Sequence, residues 1–224
     1  MTDNFEQAAR VIELIKKSDL LDGVERQADD PEARRLEYRQ ERIEHVGQRV
    51  PARYTKLDDK EARRRAPALE EVDIEGLALT PRSLLICGAT GLGKTTLAAT
   101  LMRAMMVLAY RGDEYSWRAM RTAWFHVASD LARAIEQVAP WEECKTAELA
   151  TSASWLCIDD LGTERGDRAI DEICRIISHR YNEELPTVIT TAMSFDEMTR
   201  RYGEGIVRRL IEVPDSVIEL GANR

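Results

Sequence analysis

The stretch GATGLGKT, from Gly88 through Ala89, Thr90, Gly91, Leu92, Gly93 and Lys94 to Thr95, decides how the rest of the chain reads. It fits G-x-x-x-x-G-K-[ST], and it stands between a short apolar run, Leu84 to Cys87, and a helical period that begins at Lys94. That context is what the pattern needs to be a phosphate loop. Glycines at 88, 91 and 93 let backbone N–H groups turn inward on an oxyanion with no Cβ in the way. The helix that follows adds the positive end of its dipole. Gly88 to Thr95, with Thr96, are thus the expected phosphate-binding residues. Lys94 is expected at the outer phosphates of ATP, and Thr95 as a ligand of Mg²⁺.

Outward from the loop, short apolar runs alternate with helical periods. The expected strands are Leu84 to Cys87, Trp124 to Ala128, Trp155 to Ile158, Thr187 to Thr190 and Ser216 to Leu220. The expected helices are Lys94 to Tyr110, Asp130 to Val138, Arg168 to Tyr181 and Phe195 to Leu210. Ile170, Ile173, Cys174, Ile177 and Tyr181 form the clearest helical stripe. Alternation of this kind predicts an α/β fold, a five-stranded parallel sheet sandwiched by helices, of the P-loop NTPase class. Ligands of such sheets bind beyond the carboxyl ends of the strands, so the chemistry belongs just after Cys87, Ile158 and Thr190.

Two of those places carry polar residues suited to it. WLCIDDLG ends an apolar strand in Asp159 and Asp160. The first acid suits the Mg²⁺ shell, and the second suits orienting or deprotonating an attacking water. Many hydrolases of this kind have Glu in the second place, and Asp160 is one methylene shorter. After the next strand stands Thr191, either a water-positioning hydroxyl or an ordinary strand threonine. Arg208 and Arg209 lie in the last helical period, where a guanidinium can complete a neighbouring molecule's site or simply face solvent.

The remainder is read from composition. The chain has 224 residues and a net charge of -8, which argues against a protein that coats duplex DNA over its whole surface. Yet from Glu32 to Arg65 eleven Lys or Arg stand against seven Asp or Glu, a local excess of +4. That basic stretch suits either phosphates or an acidic partner. No run of about 18 apolar residues occurs and no signal-peptide pattern opens the chain, so no membrane partner and a cytoplasmic location are expected. Cys87, Cys144, Cys157 and Cys174 lack C-x-x-C spacing, and His45, His126 and His179 stand apart from them, so reduced thiols and no zinc site are expected. Residues 1–48 read as a charged helical arm, either solvated or docked on a partner. Residues 49–82, with Pro51, Pro67 and Pro81, read as an irregular lead-in to the core at 83–224. From Arg111 to Trp124, the residues Tyr115, Trp117, Arg118, Arg121 and Trp124 mix aromatics and cations that suit base stacking or packing on a sheet edge.

The ordered wording of residues 49–224 resembles the DnaC/IstB-like family of AAA+ ATPases, the helicase loaders and transposition helpers. The resemblance rests on VPARY (50–54), FHVASDLARAI (125–135), IDDLGTE (158–164), RYNEELPTVITT (180–191), SFDEM (194–198) and RYGEGIVRRL (201–210). It implies hydrolysis of ATP, contact with single-stranded DNA and a homo-oligomer in the ATP state. It also implies capture of a replicative helicase, or of a transposase, by the N-terminal arm. Arg209 falls on the arginine-finger position. Two departures stand out. Ala192 replaces the usual water-sensing Asn, and Gly205 replaces a frequent Arg. The chain stops soon after the fifth strand, so the C-terminal helical lid of many AAA+ proteins is expected to be missing.

Overall fold

A computed structural model of the chain describes residues 50–55, 59–79, 82–109, 123–212 and 216–221. The expected arm at 1–48 and, apart from Trp124, the aromatic and basic cluster that begins at Arg111 lie outside the described residues; Trp124 sits in the sheet, half-buried against the core and stacked on His126. Five strands pair in the order β2-β3-β4-β1-β5: β1 (Leu84–Cys87), β2 (Ala123–Val127), β3 (Trp155–Leu161), β4 (Thr187–Thr191) and β5 (Val217–Glu219). Every pairing is parallel. The expected five-stranded α/β sheet is therefore the observed one, and strand order breaks beside β1, where the phosphate loop leaves the sheet.

Alternation along the strands sorts the core into two layers. Leu84 and Ile86, Trp155 and Cys157, and Val188 point to one face. Leu85, Leu156, Ile158 and Ile189 point to the other. The first face is covered by α1 (Asp59–Arg65), α2 (Ile74–Leu79) and α3 (Lys94–Ala109). Helices α4 (Ala128–Glu136), α5 (Lys145–Ser152), α6 (Asp167–Asn182), α7 (Phe195–Tyr202) and α8 (Glu204–Ile211) cover the second.

Four features depart from the expected elements. The lead-in is ordered into two short helices joined by a 3-10 turn (Pro67–Leu69), and its Ala62, Ala66, Leu69, Ile74 and Ala78 are buried against the sheet layer, with Pro67 marking the turn between the helices. Helix α5 went unforeseen, because its eight residues bury only the small Ala147 and Ala150. The expected single helix 195–210 breaks at Gly203, whose φ of 83° leaves the helical region. Upstream, Ser194 and Glu197 close a reciprocal capping box that starts α7. Finally, the buried line of α6 is Ala169, Ile173, Ile176, Ile177 and Arg180, with Tyr181 on its exposed side. Arg180 turns this stripe away from the apolar pattern. It is fully buried and donates to the carbonyls of Ala150 (3.0 Å), Thr151 (3.1 Å), Ala153 (2.6 Å) and Pro186 (2.8 Å), and to Thr187 Oγ1 (2.8 Å). One guanidinium thus closes the open end of α5 onto the starts of β3 and β4. Burial without a carboxylate partner lowers its pKa to about 10.

Candidate nucleotide site

The loop Gly88 to Gly93 leaves β1 between β5 and the lead-in, and two glycines are set by close approach. A Cβ on Gly93, at φ 96°, would lie 2.3 Å from the Ala66 Cβ, and one on Gly88 would lie 2.5 Å from the Leu220 carbonyl. The lead-in therefore packs directly on the loop. Helix α3 makes its first backbone bond from Leu97 N to Gly93 O (2.8 Å), so the amides of Lys94, Thr95 and Thr96 precede it as open donors. Lys94 is buried, and its Nζ donates to the Gly88 (2.9 Å) and Ala89 (3.0 Å) carbonyls, which bends it back along the loop. Ala89, Thr90 and Gly91 are exposed, Leu92 is half-buried and Thr96 is buried.

Beside this loop the acids of β3 are held from two sides. Thr95 Oγ1 donates to Asp159 Oδ2 (2.9 Å), and Thr190 Oγ1 donates to Asp159 Oδ1 (2.7 Å). Thr190 Oγ1 also accepts from the Asp160 amide (2.8 Å), so one hydroxyl fixes both acids. Burial raises the Asp159 pKa, opposed by the Thr190 and Thr95 hydrogen bonds and by Lys94. Asp160 is the half-exposed member. The pairing of β3 with β4 shifts register between Ile158 and Leu161, and Asp160 adopts φ 55° within that bulge. Bulges of this kind re-aim a side chain at the rim of a sheet, and Asp tolerates the left-handed region better than most residues.

Thr191 does not join them. It is fully buried, its hydroxyl donates to the Leu161 carbonyl (2.7 Å), and it accepts from the Met193 amide (3.1 Å). These two bonds tie the Thr191 hydroxyl to the backbone of the acid loop and of Met193. Ala192 is exposed at the next position. Thr190, one residue earlier, makes the contacts to the acids, and the sequence marks it only as one of two adjacent strand threonines. Tyr54 was also missed as a site residue. Its buried phenol pairs with the Thr95 side chain near both acids, and burial raises its pKa.

Arg209 lies elsewhere. It lines a small recess with Ser83, Leu84, Tyr181 and Thr187, at the amino-terminal edge of the sheet. Its guanidinium sits 5.7 Å from the centre of the Tyr181 ring and donates to the Gly205 carbonyl (2.8 Å). Its Nε is buried with no partner among the described residues. Gly205 allows the fold-back, because a Cβ there would already lie 3.3 Å from Arg209 Nη1. Strand β1 has four residues, so about 10 Å of sheet separates this edge from the phosphate loop. Arg208, beside it, is exposed. A larger groove of about 550 Å³, lined by Glu142, Glu143, Glu148, Arg168 and Arg175, is distinct from the loop. Among the described residues no cluster of His, Cys, Asp or Glu forms a metal cage, and no helix is long and apolar enough to cross a membrane.

A parallel sheet in this order, with a phosphate loop after β1 and paired acids at the end of β3, defines a P-loop protein of the AAA+ type. Its solved neighbours are consistent with the DnaC/IstB-like family. The crystal structure of the DnaC helicase loader matches 66% of this chain and 85% of its own, at 25% identity and a TM-score of 0.53. That of DnaI matches 72% of this chain and 93% of its own, at 18% identity and a TM-score of 0.53. The replication initiator DnaA, bound to AMPPCP and single-stranded DNA, matches 70% of this chain and 45% of its own, at 19% identity and a TM-score of 0.51. No protein-family model matches the chain, and no curated protein does.

Proposed function

We propose that this protein is an ATP-binding and ATP-hydrolysing helicase loader of the DnaC type, acting in DNA replication. The observation that carries the reading is the joint placement of Lys94, Thr95 and Asp159 at the mouth of a glycine loop, with Asp159 held at 2.9 and 2.7 Å by hydroxyls from two elements. The open amides of α3 and the Lys94 ammonium take the phosphates. The Thr95 hydroxyl and the Asp159 carboxylate are hard oxygen donors that already converge, which is the donor set Mg²⁺ takes with a nucleotide phosphate. Thr95 and Asp159 would hold the ion, which would offset the charge that builds on the phosphates.

Asp160, half-exposed at the bulge, is the group that orients or deprotonates water. With Thr191 committed to the backbone and Ala192 apolar, no second side chain is assigned to that water, so turnover is slow. Arg209 serves a neighbouring molecule, because its own loop lies at the opposite edge of the sheet. The similarity to DnaC and DnaI supports a replicative helicase as partner, taken up by residues 1–48, and the DnaA match supports contact with single-stranded DNA. Residues 1–48 form a separate partner-binding arm ahead of the ATPase domain at 49–224.

Titration with a fluorescent ATP analogue, with and without Mg²⁺, tests the site. Micromolar binding lost in the Lys94→Ala variant is expected, and unchanged affinity in that variant overturns the assignment. Co-purification with a replicative helicase, abolished by deleting residues 1–48 while nucleotide binding persists, tests the partner.

A further inference from the structure

The loop that follows the two acids ends in a charge that the nucleotide site does not use. Glu164 is 1% exposed and lies five residues beyond Asp159. One carboxylate oxygen accepts from the Tyr202 hydroxyl in a very short hydrogen bond and from Arg201 Nε (2.9 Å). The other accepts from the Gly162 amide (2.8 Å), and the Glu164 carbonyl accepts from Arg201 Nη2 (2.5 Å). Burial alone would raise its pKa, but the Tyr202 hydroxyl, the Gly162 amide and Arg201 outweigh burial and hold the group ionised. A buried carboxylate that accepts from a phenol, a backbone amide and a guanidinium at the surface is a firm junction, and removing a partner from it is costly.

Its position gives the junction meaning. On one side the loop is continuous with the acids: Thr163 N and Oγ1 donate to the Asp160 carbonyl (3.2 and 2.8 Å), and Thr191 Oγ1 donates to that of Leu161 (2.7 Å). On the other, Arg201 and Tyr202 are the last residues of α7, and Gly203 turns directly into α8, which carries Arg208 and Arg209. The sheet and the helix layer touch the loop at several points, but among the described residues Glu164 is the side chain that bonds both the acid loop's backbone and the end of α7.

We infer that Glu164 is a positioning residue that locks the loop bearing Asp159 and Asp160 to the α7–α8 pair, so that movement of the acids and movement of Arg209 are one motion. The coupling part of this inference rests on the nucleotide site proposed above, whereas the lock itself does not. Through it, the state of a molecule's own phosphate site sets the pose of the arginine offered to a neighbour. Tyr202 is the weaker member, since Arg201 still holds the carboxylate when the phenol hydroxyl is gone.

Amide hydrogen exchange on the full chain, read by mass spectrometry with and without Mg²⁺ and a non-hydrolysable ATP analogue, tests this. Without nucleotide, Glu164→Gln is expected to speed exchange about tenfold in segments spanning 162–164 and 201–205, with β1 and β4 unchanged. Tyr202→Phe is expected to speed the same segments by a smaller factor, and it reports on the lock if Glu164→Gln does not fold. With nucleotide, the wild type is expected to slow exchange at the phosphate loop and at 201–209 together, and Glu164→Gln to slow it at the phosphate loop only. Unchanged nucleotide-free exchange at 162–164 and 201–205 in a folded variant overturns the lock. Protection of 201–209 that persists in Glu164→Gln overturns the coupling. A wild type with no nucleotide protection at the phosphate loop contradicts the nucleotide site instead, and the nucleotide-free comparison still decides the lock.

Discussion

The two edges of the parallel sheet are built to different standards of completeness. At the carboxyl edge, Lys94, Thr95, Asp159 and Thr190 all engage one another or nearby backbone at 2.7 to 3.0 Å. At the amino edge, Arg209 is half-buried, rests on Tyr181, reaches one carbonyl and leaves its Nε without a partner among the described residues. Buried donors are rarely left unpaired in a finished structure. A self-contained set of donors suits a site that binds its ligand within one chain, and an unfinished guanidinium suits one that completes something outside the chain.

Breaking the carboxyl edge gives the largest effect. Lys94→Ala removes the buried cation that the loop carbonyls hold, and nucleotide affinity is expected to fall by a factor on the order of a hundred or more, measured by analogue titration. Next comes the helix layer that carries the amino edge. Arg180→Met strips the donor from four carbonyls, two of them in buried bonds, and a loss of about 3 kcal/mol is expected in denaturant unfolding, with a midpoint shift as the readout.

Gly93→Ala separates the loop from the lead-in. Its Cβ meets Ala66 at a positive φ, and about 1–3 kcal/mol of stability is expected to go, along with nucleotide affinity. Retained affinity would show that the lead-in merely borders the loop. The smallest effect is a pH dependence. Glu164 has a folded pKa below the ordinary glutamate value, so its contribution is present above that value and fades as pH falls through the depressed one. The difference in melting temperature between wild type and Glu164→Gln should therefore be constant near neutral pH and narrow in acid. A difference that widens in acid would contradict the ionised pairing.

Much of the carboxyl edge was legible, because glycines, a lysine and paired acids after apolar strands are local signals with one chemical use. Thr190 was not, since adjacent threonines in a strand look alike until alternation assigns one to the acids and one to the backbone. The bulge at Asp160 was hidden for a similar reason: a register shift depends on the partner strand. Arg180 misled the stripe of α6, because a buried cation satisfied by carbonyls has no apolar signature. The lead-in read as irregular because Pro67 stands at the turn between its helices while its small buried residues, Ala62 and Ala66, carry little periodic weight. Arg209 was assigned by resemblance, and the structure adds which edge of the sheet it occupies.

The central claim is that the two edges meet across molecules to form one ATP site. Mixing Lys94→Ala with Arg209→Ala, each inactive alone, measures it most directly, with single-turnover phosphate release as the readout. Activity restored in the mixture, peaking near equal amounts, is the result the account predicts; a mixture as inactive as either variant, with both variants folded and Arg209→Ala still binding ATP, would contradict it.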